Sequence, residues 1–236
     1  MSQPPPGDAF AAVIFDLDGV LVDAEIWWDE VRIAFARRHG RSWTEADQAA
    51  IMGANSTGWS TLMGQRLDLP SVPRATIEAE IVEAMVERYR VEGAPRIPGA
   101  IETVRRVAVE LPVAVASSGH PAVIAAALDA LGIADAFTAV VSSDEVPVGK
   151  PSPDVYLLAA ARLGLAPGRC LVVEDSLNGV LAGRAAGMAV VLVPNASVPP
   201  AAGAREAASL VLDRIDQLDP RKVAATLVTG TGTSPR

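Results

Sequence analysis

The run Ala11-Ala12-Val13-Ile14-Phe15 ends in Asp16-Leu17-Asp18-Gly19-Val20, and this junction constrains the chain more than any other segment. A short apolar run that stops at two acids and a glycine reads as a buried strand with a polar end. Side chains along a strand alternate with period two, so Asp16 and Asp18 leave the same carboxyl edge on one side. Two like charges that close repel, and a cation or a shared proton must hold them together. A hard divalent ion with oxygen ligands suits the pair, and Mg²⁺ in particular takes one or two carboxylates together with substrate phosphate oxygens. The tripeptide by itself also suits a solvated Asp-x-Asp turn, so its context has to decide.

Length and composition narrow that context. The chain has 236 residues, half of them hydrophobic, enough for one large or two small domains with a sizeable core. The formal charge of −8 and the absence of a Lys/Arg-rich run argue against a nucleic-acid partner. No apolar run approaches the length of about 18 residues that a spanning helix needs, so no membrane is expected. Met1 to Asp8 is polar and proline-rich rather than signal-like. Cys170, the single cysteine, opens an apolar run and reads as a buried structural thiol. A cytoplasmic setting is expected, and no protein partner is evident.

From about residue 96 onward, short apolar runs alternate with helical stretches, the pattern of a parallel sheet with crossover helices. Strands are expected at Val113–Ala116, Ala139–Val141, Cys170–Val173 and Ala189–Val193. Helices are expected over Pro98–Glu110, Pro121–Leu131 and from an N-cap Ser152 with Pro153 at the first position to Leu163, with Gly132, Gly164 and Gly187 as C-caps. Residues 25–94 differ in character. They offer no good strand and read as an all-helical insert, with Trp27–His39 closed by Gly40, a capping box at Thr44-Glu45-Ala46-Asp47, and Ile77, Ile81, Met85 and Tyr89 at i, i+4 spacing over Thr76–Arg90. Trp27, Trp28, Trp43 and Trp59 all fall here and read as the insert's own small core. The domains expected are thus a core over 10–24 and 95–220, a helical cap over 25–94, and loose tails at 1–9 and 226–236.

Three of the later strands end in groups that suit phosphoryl chemistry. Val113–Ala116 runs into Ser117-Ser118-Gly119, which sets a hydroxyl and backbone N–H groups at a strand-to-helix turn. After the strand at 139 comes Gly149-Lys150-Pro151-Ser152-Pro153-Asp154. Lys150 and Lys222 are the only lysines of the chain, and one kept between Gly and Pro before a helix invites a phosphate-binding role, with a solvated surface lysine as its rival. Cys170–Val173 runs into Glu174-Asp175-Ser176, and two adjacent acids ending an apolar strand are costly unless solvated, paired or on a metal. Open parallel sheets bind ligands beyond the carboxyl ends of their strands, so the four clusters converge on one edge.

In this order Asp16-x-Asp18-Gly-Val, Ser117, Lys150-Pro-x-Pro-Asp and Glu174-Asp175-Ser resemble the haloacid dehalogenase superfamily, closest to its phosphatases and β-phosphoglucomutase-like enzymes with a helical cap inserted after the first strand. The resemblance spans residues 11 to about 215. It implies an α/β fold, a Rossmann-like three-layer parallel-sheet core in the order 5-4-1-2-3, with a mobile all-helical cap. It further implies that Asp16 is a nucleophile forming an aspartyl-phosphate and Asp18 the general acid/base. Ser117, Ser118 and Lys150 would hold the phosphoryl group. Mg²⁺ would lie on Asp16, Asp175 and the Asp18 carbonyl, with Glu174 a direct or water-mediated ligand.

Within the superfamily, Asp18 argues against dehalogenation, because the dehalogenases proper lack the second Asp. The absence of lysine before residue 150 removes the cap Schiff-base chemistry of phosphonoacetaldehyde hydrolase. A β-phosphoglucomutase pattern puts a His five residues after the Asp matching Asp23, and an Arg three residues after a cap glycine matching Gly53. Trp28 and Ser56 stand there, so a phosphatase of small, sugar-phosphate-like metabolites is expected ahead of a phosphosugar mutase. A non-catalytic phospholigand-binding relative is the third reading. Asp23 and Glu25, where the chain enters the cap, suit a hinge or gate. Met52–Trp59, with Asn55 and Ser56, is a candidate specificity loop or a plain helix connection. His120 reads as an exposed first-turn residue with a possible substrate contact, and His39 as a helix-end residue favoured by the dipole.

Overall fold

Alternation along the strands decides the layering. In the computed structural model, which describes residues 10–51 and 54–230, the chain forms β1 (Ala12–Phe15), β2 (Val113–Ser117), β3 (Ala139–Ser142), β4 (Cys170–Glu174), β5 (Ala189–Leu192) and β6 (Leu210–Val211). Between β1 and β2 run α1 (Glu25–Arg38), α2 (Glu45–Ile51), α3 (Ser56–Arg66), α4 (Arg74–Glu92) and α5 (Ala100–Ala108). Helix α6 (Pro121–Leu131) follows β2, α7 (Asp154–Arg162) follows β3, and α8 (Leu177–Ala185) follows β4. Helix α9 (Ala204–Ala207) precedes β6 and α10 (Pro220–Gly230) follows it.

The strands make one parallel sheet in the order β3-β2-β1-β4-β5-β6. Val13, Phe15, Val113, Val115, Leu171 and Val173 face one buried cluster with residues of α5, α6 and α10. Their neighbours Ala12, Ile14, Ala114, Ala116, Cys170 and Val172 face a second cluster with residues of α7, α8 and α9. Both faces of the sheet are therefore dry, which is why its strands read as unbroken apolar runs. The order implied by the resemblance is present, and β6 extends it by one edge strand.

Among the described residues, 25–92 carry four helices and no strand. The capping box forms with Asp47 as its acid: Thr44 N donates to Asp47 Oδ2 at 3.0 Å, and Asp47 N donates to Thr44 Oγ1 at 3.3 Å. The chain leaves the sheet beside the point where it returns. Asp23 N donates to Pro95 O at 2.8 Å, Ile97 N donates to Leu21 O at 3.2 Å, and Val22 bridges Arg96, so the two connectors brace each other.

Some boundaries differ from expectation. Helix α7 opens at Asp154 with Pro153 in the cap position, and Ser152 belongs to the preceding turn, its N donating to Gly149 O at 3.0 Å. The stretch expected to be a loose tail from Thr226 is helical as far as Gly230. Asp219 Oδ1 caps α10 by accepting from Arg221 N and Lys222 N, and Val223 and Leu227 pack onto the core. The expectations for residues 1–9, 52–53 and 231–236 lie outside the described residues. Among the described residues no helix is long and apolar enough to cross a membrane.

Ile14 is fully buried in β1, flanked by Ala114 and Val172 on the neighbouring strands. Ile14→Ala should therefore cost about 2–5 kcal/mol, read as a lowered urea midpoint with an unchanged slope.

Candidate active site

The turn after β1 places its two acids. Asp16 N donates to Val173 O at 3.0 Å, and the Leu17 carbonyl then collects the N–H groups of Val20, Leu21 and Val22. Gly19 sits at φ +80°, and a Cβ there would lie 2.0 Å from Asp175 Oδ2. Glycine is thus needed twice over, for the left-handed backbone and for the approach of the β4 acid.

Glu174 ends β4 fully buried. Its Oε2 accepts from Asp175 N, Ser176 N and Ser176 Oγ at 2.9, 3.0 and 2.9 Å. Its Oε1 accepts from Lys150 Nζ at 2.7 Å and Tyr156 Oη at 2.8 Å. Lys150 Nζ also donates to Asp16 Oδ1 at 2.6 Å, so one buried ammonium joins the ends of β1 and β4. Gly179 makes room for this arrangement, since a Cβ there would fall 1.6 Å from Glu174 Oε1.

The charges are unequal. Asp16, Asp18, Glu174 and Asp175 share one cavity with Lys150. Burial raises the Asp16 carboxyl to about 7 against the pull of Lys150. Burial, with the charges of Glu25 and Asp16, raises Asp18 to about 8, opposed by the Trp28 indole, whose Nε1 donates to Asp18 Oδ1 at 3.4 Å. Asp175 is held well above the usual carboxylate range by burial and by Glu174, Asp16 and Glu25. Glu174 goes the other way: burial would raise it, but Lys150 and its other donors keep it ionised. Burial alone would lower Lys150, and the carboxylates of Asp16 and Glu174 outweigh it. Ligand oxygens of Asp16, Glu174 and Asp175 lie within 4.8 Å of one another, an oxygen-only donor set whose excess negative charge a hard divalent cation would relieve.

Of the residues picked from the sequence, Asp16, Asp18, Glu25, Ser117, Ser118, Lys150, Glu174 and Asp175 line this one cavity of about 360 Å³. Four others lie outside its lining. Asp23 accepts from Asn195 Nδ2 at 3.1 Å and from Ser197 Oγ, beside the cap connectors. Asn55 caps α3 by accepting from Gly58 N at 2.9 Å, and Ser56 N donates to Asp144 Oδ1 at 2.7 Å. His120 caps α6, its Nδ1 accepting from Ala122 N at 3.2 Å. Short polar side chains next to a helix start are drawn to its free N–H groups, and the described part of the candidate specificity loop holds the cap and first turn of α3. Its Ala54 and Trp59 do reach the cavity.

The tryptophans divide. Trp27 packs on Tyr89 with ring centroids 5.3 Å apart and Trp43 is buried, as an insert core requires. Trp28 and Trp59 instead form cavity wall, with Arg32, Ile51 and the segment Val198–Ala201. Sequence reading missed Arg32. The signal was present, because Glu25, Trp28 and Arg32 at i, i+3 and i+7 share one helix face.

Asp18 is costly to ionise in the fold. Its folded pKa of about 8 stands above the unfolded 3.8, so the penalty is absent at acid pH, grows as pH rises past 3.8 and is complete above 8. Without divalent cation, Asp18→Asn should melt higher than wild type at about pH 9, with the difference fading toward about pH 4. Gly179→Ala should displace Glu174 and lower stability by about 1–3 kcal/mol in urea unfolding.

Comparison with known proteins places the chain in a family. A family model for haloacid dehalogenase-like hydrolase matches residues 10–187. Hexitol phosphatase B of Escherichia coli K12 is 32% identical over 197 residues, covering 78% of this chain and 83% of that protein. The bifunctional riboflavin kinase/FMN phosphatase of Arabidopsis thaliana is 33% identical over 189 residues, 78% of this chain but 48% of that longer protein. Among solved structures, β-phosphoglucomutase from Clostridium difficile superposes with a TM-score of 0.80 at 22% identity, over 94% of this chain and 99% of that one, a likeness of fold. With the acids, lysine and serine at one sheet edge and the match across residues 10–187, the chain belongs to the haloacid dehalogenase-like hydrolase family.

Proposed function

We propose that this protein is a Mg²⁺-dependent phosphatase of a small, sugar-phosphate-like metabolite, working through an aspartyl-phosphate on Asp16. The observation that carries it is the buried Lys150 ammonium bound to Asp16, two residues before a second acid whose pKa of about 8 keeps its proton at neutral pH. Binding a phosphate ester requires neither a lysine-held carboxylate nor a protonated acid beside it, which disfavours a non-catalytic role.

In the first step a carboxylate oxygen of Asp16 attacks phosphorus, the bond from phosphorus to the ester oxygen breaks, and that oxygen takes the proton of Asp18. In the second step Asp18, now ionised, takes a proton from water as the water attacks phosphorus. The acyl phosphate opens, inorganic phosphate leaves, and both side chains return to their first state. Lys150 draws charge from Asp16 and from the phosphoryl oxygens. Ser117 Oγ already accepts from Gly119 N at 3.0 Å, which leaves its own proton to donate to a phosphoryl oxygen. Asp16, Asp175 and the Asp18 carbonyl would hold Mg²⁺. Five donors already occupy the oxygens of Glu174, which favours contact with the ion through water. When bound, the ion supplies positive charge against the phosphoryl oxygens and offsets the repulsion among the acids.

A mutase must hold its sugar while a second phosphoryl group is exchanged. At the two positions expected to supply basic groups, Trp28 gives an indole to Asp18 and Ser56 lies outside the cavity lining. The relatives named as phosphatases point the same way.

The test is phosphate release from a panel of sugar and polyol phosphates, with Mg²⁺ and with chelator. Wild type should release phosphate only with Mg²⁺, Asp16→Asn should fall to background, and Asp18→Asn should slow turnover by about 10²–10⁴-fold. Release that survives chelator or Asp16→Asn overturns the reading.

A further inference from the structure

Arg32 carries a charge that no carboxylate among the described residues pairs. It is 7% exposed on α1 and lines the cavity that holds Asp16 and Lys150. Burial lowers its pKa only to about 10, so it is charged at neutral pH. Of its donors, Nη1 reaches Gln48 Oε1 at 3.0 Å, an oxygen that also accepts from Trp43 Nε1 at 3.2 Å. Its Nε is buried without a partner. Glu25, Asp18 and Asp29 act on it through space, yet no carboxylate forms an ion pair with it among the described residues. Buried guanidinium groups ordinarily sit in bidentate contact with an oxyanion, and a buried donor left unmade is costly.

The guanidinium is also held in place. Its carbon stands 4.9 Å from the Trp28 ring centroid and 5.6 Å from that of Trp59, both indoles belonging to the cavity wall. Two aromatic faces and the Gln48 carbonyl fix the plane of the fork, so little rotamer freedom remains to be lost when an acceptor arrives. Packing against two indoles leaves the buried Nε without an acceptor.

Resting on the phosphatase reading, we propose that Arg32 selects the substrate by receiving an acidic group at the end remote from the scissile phosphate. The preferred substrate is then a phosphorylated metabolite with a second oxyanion, a carboxylate or a further phosphoryl group, rather than a neutral polyol monophosphate. The Trp28 and Trp59 indoles hold the guanidinium, and Gln48 is a positioning residue.

The experiment compares three ligands of equal carbon number: a polyol monophosphate, the corresponding phosphorylated aldonic acid and the corresponding bisphosphate. Affinities are measured by calorimetry in the Asp16→Asn background, so the outcome is read even if no phosphate is released, and failure of the phosphatase reading shows separately as silence of wild type in the release assay. At least one of the two acidic ligands should bind on the order of 10- to 100-fold more tightly than the polyol monophosphate, and which of them does so separates carboxylate from phosphoryl. Adding Arg32→Gln should erase that preference, weakening the acidic ligands on the order of 10-fold more than the polyol monophosphate, and Arg32→Lys should restore part of it. In an Asp16-intact enzyme the same loss should appear in KM more than in kcat. Equal or tighter binding of the polyol monophosphate overturns the proposal, and so does a parallel loss for all three ligands in Arg32→Gln. The comparison among ligands without any Arg32 substitution decides the matter should that variant fail to fold.

Discussion

The Lys150 ammonium, shared between Asp16 and Glu174 in a buried site, is the interaction on which the rest of the structure depends. An isolated ammonium or carboxylate in such a place would neutralise itself, and removing any partner would leave an uncompensated charge. The surroundings supply what the trio needs. Tyr156 donates to Glu174 and lies with its ring 4.9 Å from Lys150 Nζ, while the turn into α8 satisfies the other oxygen of Glu174. Two glycines stand where a side chain would collide with the acids. The parallel sheet enters because β1 and β4 are neighbours in register, which brings Asp16 and Glu174 to the same edge although 158 positions separate them in the chain.

A second constraint joins the cap helices to that edge. The connectors brace one another near Val22 and Arg96, and from there α1 carries Glu25, Trp28 and Arg32 over the cavity on one face. Trp28 touches Asp18 directly and Ser56 N touches Asp144 of the core. The acid that protonates the leaving group under the proposed mechanism is therefore positioned by both parts of the molecule. A shift of α1 would change its hydrogen bonding and its exposure to water together, which is how closure and chemistry become coupled in capped enzymes.

Much of this was legible in the sequence because it is local. The strands were visible as apolar runs, since a sheet buried on both faces needs no polar alternation. Asp16, Ser117 and Glu174 were visible because each stands where such a run stops. Lys150 was visible only by its rarity and by the residues around it. What escaped was set by helix starts and by distance. Asn55 and His120 are polar, within three residues of a glycine and plausible for binding, yet the unpaired N–H groups of α3 and α6 claim them as caps. The two-residue strand β6 is too short to register as a run, and α10 was hidden by a composition rich in threonine and glycine near the end of the chain.

The sequence by itself determined the parallel-sheet architecture, the helical insert and the four polar clusters that meet at one edge, because strand alternation and strand-end chemistry are read within a few residues. Tertiary structure alone decided which carboxylate takes the lysine, which tryptophans pack the insert and which wall the cavity, and that Arg32 reaches the site with an unpaired Nε. Those outcomes depend on how α1 and α3 lie against the sheet edge and on how far burial shifts each charge. Both are properties of atoms distant in the chain and adjacent in space, for which local sequence carries no signal.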